Sequence, residues 1–207
     1  YENGEFLHYV GHIEADGFQC TDGRLDARNL DFVGVDAFFL NGCASYDQGM
    51  ALLDRGAVGG VVTVTEVINS GATRVGKAMV KLLNRGFPVN AALSVASQQS
   101  FVGGQYSLVG DGDVDIMQRN DLAASVIDVE QREKGFAVST QVLPTNDLYP
   151  GSTSKTVFGP ERRYYLTPGT IGPFEGFSRR RLLELTRQSR DIVRYQDEIW
   201  MPENFVP

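Results

Sequence analysis

The reactive side chains of this chain are few, and one histidine and one cysteine stand out among them. The chain contains two histidines and two cysteines in 207 residues. His12 follows the apolar run at residues 6–11, and Cys43 follows a second apolar run at residues 35–40 and the pair Asn41-Gly42. A thiol beside an imidazole is suited to nucleophilic attack on a carbonyl carbon, because the imidazole takes the thiol proton and returns it to the leaving group. His12 and Cys43 are therefore the candidate catalytic dyad.

Both candidate residues lie where a predicted buried strand ends. Residues 6–12 and 35–40 are short apolar runs typical of strands in a parallel sheet. Ligands of open α/β sheets bind outside the carboxyl ends of the strands, and neighbouring strands lie only about 4.8 Å apart. A helix predicted at residues 45–55 begins just after Cys43, where its dipole favours a thiolate. Gly42 leaves room for a substrate carbonyl, and the Cys43 amide is a candidate oxyanion donor.

The remaining pattern of residues 1–119 predicts an α/β fold. A tight hairpin is expected around Thr21-Asp22-Gly23, because Asp-Gly accepts the positive φ angles of such a turn. Strands and helices then alternate, which favours a mainly parallel sheet flanked by helices. The further strands are predicted at residues 58–64 and 106–109, and the further helices at residues 73–84 and 89–100.

Residues 120–207 have a different pattern and are expected to form a C-terminal extension. Residues 125–129 and 136–142 predict antiparallel strands of a β-rich appendage, followed by a loop region at residues 144–176. Ser178 is the expected N-cap of a long helix that ends near Trp200. Leu182, Leu183, Leu185, Ile192 and Val193 give this helix an apolar stripe, which we expect to pack within the chain.

Composition excludes several classes of function. A net charge of −7 disfavours nucleic acid as a partner, and acidic residues are mixed among the arginines at 179–194. His8 and His12 on one strand lie about 13 Å apart, too far for a shared metal ion, so no metal or cofactor is expected. No membrane partner is expected either, since no run approaches the roughly 18 apolar residues of a membrane span. Two cysteines make no disulfide framework, and a reducing, cytoplasmic setting is the expectation.

Three segments of the chain are similar to segments of a known protein family. His8-Tyr9-Val10-Gly11-His12 looks like a segment that ends in a catalytic histidine, and Phe38-Phe39-Leu40-Asn41-Gly42-Cys43-Ala44-Ser45 looks like a strand that ends in a catalytic cysteine. Tyr106-Ser107-Leu108-Val109-Gly110-Asp111-Gly112 is similar to the strand that closes the same domains. Together they resemble the CHAT family of caspase-like cysteine proteases, over about residues 5–117. The resemblance implies a caspase-like fold and cleavage of a protein or peptide substrate by His12 and Cys43.

The sequence departs from that family at two places near the expected site. The family has glycine directly after the catalytic histidine, where its amide helps to bind the oxyanion, and Ile13 stands here. The family's tryptophan and paired aspartates after the third strand are replaced by Thr65, Ile68 and Asn69. A preference for basic substrates therefore does not carry over directly. Asp36 is another acidic residue near the predicted rim of the sheet. The residues expected to bind substrate are Asn41, Gly42, Asp47 and Glu66.

Two other functions remain open, together with a question about the sheet edge. The domain could be a degenerate CHAT fold that serves as a regulatory or protein-binding module, which Ile13 favours. The chain could instead be an unrelated α/β nucleotide-binding domain, because Gly71–Lys77 has the G-x-x-x-x-G-K spacing of a phosphate loop, although Ala78 stands where that loop needs a hydroxyl. A caspase-like sheet has a strand before the histidine strand. We therefore expect the edge at residues 6–12 to be covered by another part of the same protein, by a partner chain or by residues 120–207.

Overall fold

A computed structural model describes residues 6–14, 16–66, 69–99, 104–117, 123–146 and 148–207 of the chain. The chain divides into two compact units, Tyr1–Arg119 and Asn120–Pro207. The first unit combines a four-stranded sheet with helices, and the second is built mainly from strands. Among the described residues, no helix is both long enough and apolar enough to cross a membrane.

The main sheet of the first unit has three parallel strands and one antiparallel strand. Its strands, in spatial order, are β1 (Phe6–Val10), β5 (Ala37–Asn41), β6 (Gly59–Thr63) and β7 (Tyr106–Gly110). β1, β5 and β6 run parallel, as the sequence predicts, whereas β7 runs antiparallel to β6. The expectation of a parallel direction is wrong for β7. Two successive helices connect β6 to β7. Because the chain runs the length of the sheet once in each helix, it returns to the end of the sheet where β6 finished, and β7 therefore starts there.

Helices cover both faces of this sheet. α1 (Tyr46–Asp54) lies on one face, because Gly49 would place an added Cβ 2.3 Å from Val62 and 3.3 Å from Phe38. α2 (Asn69–Leu83) lies on the other face, because Gly76 approaches Asn41 and Phe39. Successive strand residues face opposite sides, so these contacts place the two helices on opposite faces. α3 (Val89–Ser97) packs beside α2 and against β6 and β7.

The helix α2 begins earlier than the sequence predicts, and this rules out the phosphate-loop hypothesis. Residues 71–78 lie inside α2, where the backbone amides make helical hydrogen bonds. A phosphate loop instead requires irregular backbone whose amides are free to surround the phosphates. The segment that resembles this loop therefore has the conformation of an ordinary helix.

A small antiparallel sheet follows β1 and contains the predicted hairpin. Its strands are β2 (Ile13–Glu14), β3 (Gly17–Cys20) and β4 (Gly23–Leu25), and a 3-10 helix follows at Ala27–Asn29. The hairpin is confirmed: Cys20 pairs with Gly23, and Thr21-Asp22 form its turn, while Gly23 has a positive φ of +139°. Ile13 and Phe18 are buried in the same apolar cluster as Phe38 and Leu40, which fixes the small sheet on the larger one.

The second unit contains a five-stranded sheet with one helix. Its strands are, in spatial order, β12 (Gly169–Phe177), β9 (Gly135–Val142), β8 (Ser125–Arg132), β13 (Ile192–Tyr195) and β14 (Glu198–Trp200). The antiparallel pairing of β8 with β9 confirms the predicted appendage. The described part of residues 144–176 is not only loop, since it includes β10 (Thr153–Ser154), β11 (Tyr165–Leu166) and most of β12.

The prediction of one long C-terminal helix is wrong. α4 (Arg179–Ser189) ends at Arg190, which has a φ of +63°, and β13 and β14 then form a hairpin. Gln196 and Asp197, both with positive φ, make its two-residue turn. The N-cap is confirmed, because the Ser178 side chain accepts a hydrogen bond from the Arg181 amide. The expected burial is also confirmed: Leu182, Leu185 and Val193 join one apolar cluster, and Trp200 is partly buried against it.

Candidate active site

The ends of β1 and β5 bring the two candidate catalytic residues to the same edge of the sheet. The strands pair in parallel, and Val10 lies opposite Asn41 in the last register pair. The chain continues as Gly11-His12 after one strand and as Gly42-Cys43 after the other. The prediction that His12 and Cys43 follow the carboxyl ends of adjacent parallel strands is therefore confirmed.

A backbone contact joins the two loops that carry His12 and Cys43. A Cβ added to Gly42 would lie 2.4 Å from the carbonyl oxygen of Gly11, closer than any side chain tolerates. The Ile13 side chain also lies close, 3.2 Å from the same position. Only glycine fits at position 42, and this glycine lets the Cys43 loop touch the chain one residue before His12.

The backbone of His12 is held by the strand beneath it and by the neighbouring hairpin. The carbonyl oxygen of His12 accepts a hydrogen bond from the Gln19 amide at 3.0 Å and lies 2.9 Å from the Tyr9 hydroxyl. The Tyr9 ring packs edge-on against Phe18, with ring centroids 5.0 Å apart. Burial raises the pKa of the Tyr9 phenol, so it remains a donor at neutral pH. These contacts fix the path of the chain on both sides of the imidazole.

The Cys43 loop is fixed by buried hydroxyl groups at the end of β6. Thr63 is fully buried, and its amide donates to the Ser45 hydroxyl at 2.8 Å. The Thr63 hydroxyl donates to the carbonyl of Gly42 and accepts from the Ser45 amide at 3.3 Å. Ala44, which lies between Cys43 and Ser45, has a φ of +49°, and its amide donates to the carbonyl oxygen of Thr65 at 3.3 Å. Cys43 therefore stands on a sharp turn that leads directly into α1.

His12 and Cys43 both line one cleft of about 620 Å³. Its strand side is formed by the end of β1 and by Asn41 and Gly42, and its helix side is one face of α2. Cys43 is partly exposed in this cleft, whereas Cys20, on β3, is more exposed and does not line it. The structure therefore places the two side chains on the lining of one cleft.

The Asn41 side chain connects β5 to α2 and to β7. Its side-chain amide donates to the carbonyl of Ala72 in α2 at 3.0 Å, and its carbonyl oxygen accepts from the Tyr106 hydroxyl at 2.6 Å. Burial, and to a lesser extent the nearby Cys43, raises the pKa of Tyr106 to about 12. The buried Asn41 thus holds α2 and β7 at fixed positions beside the Cys43 loop, so its role is to position these elements.

Two of the expected substrate-binding residues do not line the cleft. Asp47 lies in the first turn of α1 and Glu66 follows β6, and both are exposed. Asp36, another acidic residue considered at the rim, precedes β5 and therefore lies at the opposite end of the strands from Cys43. Ile68, one of the family departures, lies outside the described residues. The acidic side chains expected near the site are therefore not part of the described cleft.

The structure adds residues that the sequence analysis did not include in the site. His8 lines the cleft with its ring stacked on Phe39, at a centroid distance of 5.0 Å. Its partial burial lowers its pKa, which favours the neutral imidazole. Lys77 and Lys81 also line the cleft from α2. Their four-residue spacing on a predicted amphipathic helix is the one signal that could have identified them.

No protein-family model and no curated protein matches this chain. Within the described parts of the chain, no group of three or more histidine, cysteine, aspartate or glutamate side chains could hold a metal ion. The fold and the site therefore define a mixed α/β unit with a histidine and a cysteine in one cleft at the strand ends.

Proposed function

We propose that the first unit is the catalytic part of a cysteine endopeptidase with a caspase-like fold of the CHAT type. The observation that supports this most is the position of His12 and Cys43, which follow paired parallel strands and share one cleft. The contact between Gly42 and Gly11 adds support, because it holds the two loops at backbone distance. The order of elements from β1 to β7 also agrees with the resemblance seen in the sequence.

In the proposed reaction, His12 first accepts the proton of the Cys43 thiol. The sulfur attacks the carbonyl carbon of the scissile peptide bond, and the C–N bond breaks as the imidazolium gives its proton to the leaving amine. A thioester to Cys43 remains. His12 then takes a proton from water, which attacks the thioester. The C–S bond breaks, the new carboxyl product leaves and the thiol regains its proton.

The backbone around Ile13 suits an oxyanion site despite the absent glycine. His12 and Gln19 occupy a hydrogen-bonded position of the β2–β3 ladder, since the Gln19 amide donates to the His12 carbonyl. Ile13 and Phe18 form the next pair, and the amides of such a pair point away from the ladder. The Ile13 side chain is only 4% exposed, so it occupies the core and leaves the cleft open. We assign oxyanion binding to the amides of Ile13 and Cys43.

Proteolysis by the full chain tests this proposal. An unfolded protein such as reduced casein is incubated with the chain, and mass spectrometry identifies the fragments. Cys43→Ala and His12→Ala should each lower the cleavage rate by about 10³-fold or more. Cys20→Ala is the matched control and should cleave like the unaltered chain, because Cys20 lies outside the cleft. Equal cleavage by the Cys43→Ala variant would contradict the proposal.

A non-catalytic module is the second candidate function, and Ile13 is the observation that favours it. The chain would then keep the fold and use the cleft to bind a protein segment without cleaving it. Absence of casein cleavage, together with slow alkylation of Cys43, would favour this function over the protease. In either case the proposed compartment is the cytoplasm, where a partly exposed thiol such as Cys43 stays reduced.

The open edge of β1 supports the proposal that another segment completes the sheet. Among the described residues β1 pairs only with β5, and Val10 at its end is 67% exposed. Unpaired strand edges attract further strands, so we propose that another part of the same protein or a partner chain pairs here. Hydrogen exchange of the amides from Leu7 to Val10 tests this. The amides that point away from β5 should exchange fast in the isolated chain, because no strand pairs with them there. Uniformly slow exchange would contradict the proposal.

A further inference from the structure

The charge of the cleft differs in sign from that of the unit that contains it. Residues 1–119 carry more carboxylates than basic side chains. The described residues that line the cleft nevertheless include the cationic Lys77 and Lys81, and no aspartate or glutamate. A site lined by one sign of charge concentrates ligands of the other sign. The electrostatics of this cleft therefore favour an anionic group next to Cys43.

The position of Lys77 is fixed by the contacts that build the cleft. An added Cβ on Gly76 would lie 2.9 Å from the Asn41 side-chain nitrogen, so α2 approaches β5 closely at this turn. Asn41 also donates to the carbonyl of Ala72, one turn earlier in α2. Lys77 follows Gly76 directly, is exposed, and makes no ion pair within the part of the chain that is described. Its ammonium group is thus carried at the cleft by a helix held in place beside Cys43.

We propose that the cleft selects substrates with an aspartate or glutamate side chain close to the bond that Cys43 attacks. This inference rests on the proposed protease function and specifies its substrate class. The Lys77 ammonium offers three donors to a carboxylate, and a partly enclosed cleft screens that attraction less than an open surface. Lys81, one turn further along the same face, adds positive charge. An arginine or lysine side chain at this place would meet like charge.

The reaction of Cys43 with two small reagents measures this charge without any peptide. Iodoacetate is anionic and iodoacetamide is neutral, and both transfer a similar group to a thiolate. At each cysteine, the rate with iodoacetate is divided by the rate with iodoacetamide. This ratio at Cys43, divided by the ratio at Cys20, is a double ratio that reports the electrostatic potential in the cleft. We expect this double ratio to exceed one at low salt and to fall about fivefold in Lys77→Gln, the size of one modest ion pair. Arg74→Gln, on the exposed part of α2 outside the cleft, is the matched control and should change it little.

The outcomes separate this inference from the protease proposal. His12→Ala slows both reagents if the dyad exists, whereas Lys77→Gln changes mainly their ratio. A double ratio of one that Lys77→Gln leaves unchanged would overturn the inference and leave the dyad intact. With peptides that carry aspartate, asparagine or lysine at each position in turn, kcat/KM should be highest for an aspartate peptide. Lys77→Glu should remove that preference, and equal or higher kcat/KM for the lysine peptides would also overturn the inference.

Discussion

Replacing Gly42 by alanine tests whether the two loops must touch for the site to work. The new methyl carbon would lie 2.4 Å from the Gly11 carbonyl oxygen, about 1 Å short of ordinary van der Waals contact. The buried Ile13 side chain also lies close, at 3.2 Å from the same position. No flexible side chain can move away, so the Gly11-His12 segment and the Cys43 loop have to separate by about that distance.

The expected effect on reactivity is much larger than the effect on stability. Overpacking of this kind costs about 1–3 kcal/mol of folding free energy, which a domain of ordinary stability survives. A displacement of about 1 Å between catalytic groups lowers rates by about 100-fold. We therefore expect Gly42→Ala to remain folded and to lose most of the enhanced reactivity of Cys43.

Rates of iodoacetamide alkylation, resolved by residue through mass spectrometry, measure this loss. Urea unfolding of the same samples measures stability. Gly34→Ala is the control, because a Cβ at Gly34 meets no atom within 4 Å, and it should alter neither quantity strongly. A folded Gly42→Ala variant whose Cys43 reacts at the original rate would refute the argument that the loop contact aligns His12 with Cys43.

Substitutions at three further residues test other contacts, each by urea unfolding. Thr63→Val should destabilise the first unit by about 1–3 kcal/mol because the buried Gly42 carbonyl loses its donor, whereas Thr63→Ser should cost less; equal stabilities would contradict this. Tyr106→Phe should cost about 1–3 kcal/mol. Between pH 10 and about 12 the Tyr106 phenol ionises in the unfolded chain but not in the folded one, so the free energy of unfolding falls as the pH rises. Tyr106→Phe should make this fall less steep, and an unchanged slope would contradict the contribution of Tyr106. Ser178→Ala should destabilise the second unit by about 1 kcal/mol through loss of the N-cap of α4, and an unchanged unfolding midpoint would contradict this.

The core strands and the positions of the candidate dyad could be predicted because local patterns determine them. The runs that became β1 and β5 are apolar and short, and each ends at a glycine followed by a reactive residue. The antiparallel direction of β7 could also have been predicted from the sequence. Two successive helices were expected before it, and an even number of crossings brings the chain back antiparallel.

Other features depend on tertiary contacts that no local pattern reveals. The apolar residues Ile192 and Val193 continue the stripe of α4, yet they form β13 because it pairs in parallel with β8, more than sixty residues earlier. Arg190 adopts a left-handed conformation that usually signals glycine, so the end of α4 carries no sequence signal. The place of Lys77 in the cleft follows from the contact of Asn41 with Ala72, which joins residues far apart in the chain.

The alkylation rate of Cys43 relative to Cys20 tests the proposed dyad most directly. Cys20 is the more exposed thiol, so exposure alone favours its reaction. Activation by His12 and by the start of α1 predicts the opposite order near neutral pH, with Cys43 reacting faster with iodoacetamide. His12→Ala should remove most of that advantage. If Cys20 reacts as fast as Cys43 or faster, and His12→Ala changes neither rate, the dyad does not exist.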